Sequence, residues 1–239
     1  MKANSKILVT GGASGIGLGI VARLLEEGHQ VIVCGRREQV LQELTSQYPE
    51  VITRQCDLEQ PADRESLYNW IAAEHSDLNV LVNNAGIQHW MQIDGADFAS
   101  RMQQEVAINI EAPLHLSSLF VKLPALDTIM NVTSGLSFAP FSKVPVYSAT
   151  KAFMHSFTLS LRHMLKGRGI NVVEIVPPAL NTDLGGVGLH DAAPSVAGFI
   201  DSIFEQLKQG SLQLTYLSSG DRANASHQAL GGYFAQLNP

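Results

Sequence analysis

Tyr147 and Lys151 stand four residues apart in the run Tyr147-Ser148-Ala149-Thr150-Lys151. On a helix that spacing puts both side chains on one face, with Cβ atoms about 5–6 Å apart. A free phenol has a pKa of about 10, too high for acid–base work near neutral pH. An ammonium beside it favours phenolate and draws that value down, toward the range where proton transfer is efficient. Taken alone, the pair also reads as an amphipathic tyrosine at a core edge and a solvated lysine. Two further polar residues bear on the choice. Ser134 closes an apolar run thirteen residues before Tyr147, and Asn109 lies inside an earlier helical stretch. Asparagine in mid-helix is a mild misfit that suggests a polar role.

A second cluster suits phosphate. Thr10-Gly11-Gly12-Ala13-Ser14-Gly15-Ile16-Gly17 joins a short apolar run to an amphipathic one. A glycine turn at a helix N-terminus aims backbone N–H groups and the positive end of the dipole outward. It also lets a pyrophosphate approach the backbone closely. The end of the second apolar run reads Cys34-Gly35-Arg36-Arg37, with no carboxylate to take a ribose 2′-hydroxyl. Guanidinium groups match a 2′-phosphate bidentately. The expectation is therefore NADP(H), with NAD(H) less favoured and Arg36 and Arg37 as the candidate contacts. Solvated loop charges are the alternative reading of both arginines.

The elements that must position these groups alternate along the chain. Strands are predicted at Lys6–Thr10, Gln30–Cys34, Val51–Cys56, Val80–Asn83, Thr128–Val132, Ile170–Val176 and Gln213–Leu217. Helices are predicted at Gly15–Glu27, Glu38–Tyr48, Asp63–His75, Asp97–Phe120 with a kink at Pro113, Val146–Lys166 and Ser195–Gln209, with one short helix in the tail. Continuous apolar strands separated by helices imply an α/β, Rossmann-like, doubly wound three-layer fold on a seven-stranded parallel sheet. The whole chain, 1–239, reads as one domain, with a glycine-bearing substrate loop around 180–195.

Composition narrows the classes. Of 239 residues 45% are apolar and 16% charged, with a net charge of −6, normal for a compact domain. No stretch is strongly basic, which argues against nucleic acid as a partner. Two cysteines, Cys34 and Cys56, make no disulfide framework and point to a reducing, cytoplasmic setting. They read as buried structural thiols. No metal-ligand spacing occurs, and no apolar run has the length of a signal peptide or membrane span.

The glycine spacing at Gly11, Gly15 and Gly17, together with Asn83-Asn84-Ala85-Gly86, Ser134, the Tyr147–Lys151 pair and Pro177 with Thr182, resembles the short-chain dehydrogenase/reductase family over Lys6 to about Leu217. The resemblance implies a tetrad. Ser134 bonds the substrate oxygen and Tyr147 passes the proton. Lys151 tunes Tyr147 and binds the nicotinamide ribose. Asn109 holds a water near Lys151 through a local helix distortion. It also places Gly11, Ser14, Gly15, Ile16 and Gly17 on the cofactor phosphates, and Asp57 and Leu58 beside the adenine. Asn83, Ala85, Gly86, Pro177 and Thr182 are placed along the cofactor. Pro178 stands where the family usually has glycine, which weakens the carry-over of its neighbours. The runs Val31-Ile32-Val33-Cys34-Gly35-Arg36-Arg37 and Phe234-Ala235-Gln236-Leu237-Asn238-Pro239 resemble the branch that includes a D-alanyl-lipoteichoic-acid-operon oxidoreductase.

The implied activity is NADP(H)-dependent interconversion of a small carbonyl compound and an alcohol, in a homodimer or homotetramer. NAD-linked alcohol oxidation and a non-enzymatic dinucleotide-binding regulator on the same fold are the alternatives. The substrate pocket is expected from Gln88–Met91, Leu136–Phe141 and Leu180–Leu189. His89-Trp90 reads as a substrate mouth or as loop packing.

Overall fold

In the computed structural model, which describes residues 2–239, seven strands form one all-parallel sheet in the order β3-β2-β1-β4-β5-β6-β7. They are β1 Lys6–Thr10, β2 Gln30–Gly35, β3 Ile52–Gln55, β4 Val80–Asn83, β5 Thr128–Val132, β6 Asn171–Val176 and β7 Gln213–Thr215. This is the doubly wound architecture expected from the sequence. The inner strands β1, β2, β4, β5 and β6 are largely apolar and buried because helices cover both faces, whereas the edge strands β3 and β7 are mostly polar.

On one face Ile7, Val9, Val31, Val33, Val80 and Val82 meet α1 (Gly15–Glu26), α2 (Glu38–Gln47) and α7 (Val196–Lys208) through Ile20, Leu24, Leu41, Phe199 and Ile203. On the other, Leu8, Ile32, Leu81 and Ile129 meet α3 (Pro61–Glu74), α5 (Ala112–Phe120) and α6 (Pro145–Leu165) through Leu67, Ile71, Leu116, Phe120 and Leu161. The chain winds outward from β1 to β3, then returns to place β4 against β1 on its free side. The strand order reverses there, and a crevice opens beyond the carboxyl ends of β1 and β4, where ligands of such sheets bind.

Two expectations need correction. The predicted helix Asp97–Phe120 is α4 (Phe98–Val106), a π turn at Ala107–Glu111, and α5. Pro113 is not a kink inside a regular helix. It sits in the first turn of α5, where a missing N–H is tolerated. Its lack of an N–H denies a partner to the Asn109 carbonyl four residues earlier, and the ladder widens by one residue at that point. The tail carries two helices rather than one, α8 (Ser218–Ala223) and α9 (His227–Leu237). No residue of α9 is buried. Its end is hooked by Asn238, which accepts from the Ser142 N–H at 2.6 Å and donates to the Pro140 carbonyl at 3.0 Å.

Candidate functional site

A groove of about 820 Å³ runs across the carboxyl edge of the sheet. At one end lies the glycine turn. Gly17 is where α1 crosses back over that turn, and a Cβ there would lie 2.4 Å from the Gly11 carbonyl oxygen. Asn84 fixes the turn, donating from Nδ2 to the carbonyls of Thr10 at 2.9 Å and Gly11 at 3.2 Å. Ser14 is the N-cap of α1, yet its hydroxyl caps no N–H of the helix. The leading amides of α1 are left to an outside acceptor, which is the donor set a phosphate takes.

Gly11, Ser14, Gly15, Ile16 and Gly17 all line the groove. Arg36 and Arg37 line it beyond the end of β2, both exposed, and Asp57 and Leu58 line it past β3. Part of the Asp57 carboxylate is taken up locally, since its Oδ1 accepts from the Glu59 N–H at 3.1 Å. Cys56 also borders the groove, and both cysteines are buried free thiols. Burial and a hydrogen bond to Cys56 push the Cys34 thiol well up, with the hydrogen bond the larger cause. An extended, donor-rich groove with guanidinium groups at one end and no acid at position 35 fits a dinucleotide carrying a 2′-phosphate.

The other end holds the acid–base groups. Tyr147 and Lys151 sit on one face of α6, both buried and both lining the groove. Lys151 Nζ lies 5.5 Å from the Tyr147 ring centre and donates to the Val132 carbonyl at 2.8 Å. Ser134 follows β5, held by the Gly135 N–H donating to the Pro177 carbonyl at 2.9 Å, and its Oγ accepts from the Leu136 N–H at 3.1 Å. Ala85, Gly86, Pro177 and Thr182 also line the groove. Gly86 has no side chain because a Cβ there would meet Asn109 Oδ1 at 3.3 Å and Lys151 Nζ at 3.5 Å.

Asn109 is buried in the π turn and clamps the Ile87 backbone. It accepts from the Ile87 N–H at 2.9 Å and donates to the Ile87 carbonyl at 2.8 Å. It also donates to Thr150 Oγ1 at 3.2 Å, tying the π turn to the part of α6 that carries Tyr147 and Lys151.

Two readings from the sequence change here. Asn83 does not reach the groove. Its Nδ2 donates to Asn131 Oδ1 at 2.9 Å and Ser117 Oγ at 3.2 Å, inside the sheet–helix interface. Asn84, one residue beyond the strand, lines the groove instead. The second change is electrostatic. Burial pushes the Tyr147 phenol above its ordinary value, while the Ser134 hydroxyl pulls the other way. Burial also draws Lys151 down to about 8. Both groups are at most 6% exposed, so desolvation outweighs the attraction expected from spacing alone.

Glu105 was not legible as a site residue. It is fully buried, and its Oε1 accepts from the His89 N–H at 2.6 Å. The usable signal was its place one helical turn before Asn109. On the substrate side Gln88, His89, Leu184 and Gly185 line the groove, and Trp90 packs edge-on against Phe141 with ring centres 5.8 Å apart. Among the described residues no helix is long and apolar enough to cross a membrane, and no group of three or more His, Cys, Asp or Glu could hold a metal ion.

The pattern of the short chain dehydrogenase family matches residues 5–190. The chain is 40% identical over 245 residues to the uncharacterized oxidoreductase DltE of Bacillus subtilis (strain 168), covering 98% of this chain and 97% of that protein. It is 35% identical over 177 residues to the NADP-dependent 3-hydroxy acid dehydrogenase YdfG of Salmonella typhi, covering 72% of this chain and 71% of that one. A short-chain dehydrogenase from Sphingobium yanoikuyae in complex with NADPH superposes with a TM-score of 0.82 at 25% identity, over 97% of this chain and 95% of its own. The chain belongs to the short-chain dehydrogenase family of oxidoreductases, in the branch that DltE represents.

Proposed function

We propose that the chain is an NADP(H)-dependent oxidoreductase that interconverts a carbonyl group and an alcohol. It would act as one dinucleotide-binding domain in the cytoplasm. The observation that carries this is one groove with the glycine turn at one end and Tyr147 and Lys151 at the other, with the Ser134 hydroxyl beside the Tyr147 phenol. The bound nicotinamide supplies or accepts the hydride at the substrate carbon. In the reducing direction the Ser134 hydroxyl holds the carbonyl oxygen, and Tyr147 gives that oxygen its proton. Lys151 stabilises the phenolate left behind. The Asn109 and Lys151 side chains flank Gly86 and provide a polar path by which Tyr147 recovers a proton from solvent. A panel of carbonyl compounds with NADPH and NADH tests the reading. Because YdfG is named for 3-hydroxy acids, 3-oxo acids belong in the panel. Failure to turn over any member would refute it.

Arg36 is proposed as the contact for the 2′-phosphate. Charge-assisted bonds of this kind are worth about 1.5–3 kcal/mol. Arg36→Ala therefore weakens NADPH binding by about 10- to 100-fold and leaves NADH binding nearly unchanged. Titration of each cofactor by its fluorescence checks this, and equal losses for both would count against it.

A second copy of the chain is proposed to cover the outer face of α6. Phe153 and Met164 remain 45% and 70% exposed there, and Leu159 is 46% exposed. Phe157, on the same helix, packs against the core instead. Sedimentation at micromolar concentration is expected to give a homodimer or homotetramer. A single species of one-chain mass would contradict it.

A further inference from the structure

Glu174 lies on β6, and the chemistry described so far makes no use of it. Its side chain is wholly buried on the face that α6 covers, where Val172, two residues earlier, packs into the core. A carboxylate at such a position is costly unless its oxygens are bonded. Here both are. Oε1 accepts from Thr133 Oγ1 at 2.8 Å and lies 2.9 Å from His155 Nδ1, and Oε2 accepts from Gln213 Nε2 at 3.0 Å. Against the cost of burial, the bonds from His155, Gln213 and Thr133 hold the carboxyl below its ordinary range. It is therefore a carboxylate, and the His155 ring nitrogen is the donor.

Two of these partners stand at the two ends of one turn. Thr133 immediately precedes Ser134 and lines the groove. His155 packs edge-on against Phe138, with ring centres 4.7 Å apart. Phe138 closes the short helical turn Gly135–Ser137, of which Ser134 is the N-cap. Backbone bonds tie only the near end of this turn to β6, from the Thr133 N–H to the Ile175 carbonyl at 2.8 Å and from the Gly135 N–H to the Pro177 carbonyl. The far end is met by the His155 ring, and Glu174 aims that ring.

We propose that Glu174 is a positioning residue for Ser134, its one carboxylate holding Thr133 on one side of the serine and, through His155, Phe138 on the other. Glu174 itself does not line the groove. It acts by fixing both ends of the turn, which keeps the Ser134 hydroxyl aimed at the substrate oxygen. An apolar residue at 174 would fill the same space in the core and leave His155 and Gln213 without their acceptor. This inference rests on Ser134 holding the substrate oxygen, as proposed above.

The test is a double-mutant cycle between positions 174 and 134, read as kcat and KM for carbonyl reduction with NADPH, with cofactor affinity and Tm measured for each variant. Glu174→Leu is expected to lower kcat by about 10- to 100-fold, the scale for a misplaced group near the reacting atoms, and to leave NADPH affinity unchanged. In the Ser134→Ala background the same substitution costs little more, because the group it positions is already gone. Glu174→Gln keeps an oxygen for Thr133 and His155 and restores most of the rate. A merely structural role lowers Tm and leaves the kcat of the folded enzyme unchanged, and that result overturns the proposal. So do losses that multiply in the double variant, and a Glu174→Gln as slow as Glu174→Leu. Should Glu174→Leu not fold, His155→Leu takes its place in the cycle, and a kcat equal to that of the wild type overturns the proposal. Full activity in Ser134→Ala would overturn both the proposed role of Ser134 and this inference, whereas multiplying losses overturn only the role of Glu174.

Discussion

Tyr147→Phe is expected to lower turnover by at least about 10²-fold, the low end for losing a general acid. The aromatic ring stays in its buried slot on α6, so the fold and NADPH affinity survive. Only the hydroxyl is lost, and with it the proton for the substrate oxygen. Ser134→Ala loses rate in the same way without loss of cofactor affinity, because its Oγ stands by the Tyr147 phenol and Ser134 does not line the groove. The measurements are NADPH oxidation with the best substrate of the panel and a cofactor titration of each variant. Retention of most activity in Tyr147→Phe would mean that the proton comes from another group.

Lys151→Met should abolish turnover and at the same time stabilise the cofactor-free protein. Burial draws Lys151 down from 10.5 to about 8, so the folded state holds its proton less tightly than the unfolded chain. At pH 7 the amine is charged in both states, and the folded state bears the full desolvation penalty of about 3 kcal/mol. As pH rises through the window from about 8 to 10.5 the unfolded chain still binds the proton and the folded one does not, so the penalty disappears. Methionine removes it at all pH values and gives up the bond from the charged amine to the Val132 carbonyl, worth about 1.5–3 kcal/mol. The net gain of about 1 kcal/mol at pH 7 corresponds to a rise in Tm of about 2–4 °C for a chain of this size. Thermal melts of wild type and variant should converge as pH rises through that window. A variant less stable than the wild type at pH 7 would contradict the argument. Such a trade of stability for function is common at active sites.

The inner part of the sheet was legible because its strands are buried on both faces and so read as largely apolar runs, while the edge strands β3 and β7 carry mostly polar residues. Tyr147 and Lys151 were legible as a spacing, and the glycine turn as a spacing in the right context. Asn83 and Asn84 were not separable in this way. They are adjacent, and which one turns to the groove depends on how the chain leaves β4. Glu105 could not be read as buried, since a glutamate on a helix ordinarily faces water. It is enclosed where α4 packs against the rest of the fold and the loop after β4 brings the His89 N–H onto it. The same holds for the sign of the Tyr147 displacement, which burial decides and residue order does not record. Helix α9 has no fully buried residue, and it is held by the half-buried Leu230, Tyr233 and Leu237 and by the Asn238 side chain.

The π turn at Ala107–Glu111 also sets the phase of the long helical stretch around it. Glu105 and Ser117 are twelve residues apart. On a regular helical wheel of about 100° per residue they would point about 120° from each other. A π turn absorbs one extra residue, which brings them to within about 20°. Both are in fact buried, Glu105 against the His89 backbone and Ser117 against Asn83. A wheel drawn through 98–120 without that correction would assign the inward side of α4 to solvent. The number of residues between Glu105 and Ser117 is therefore as much a determinant of the site as their identities.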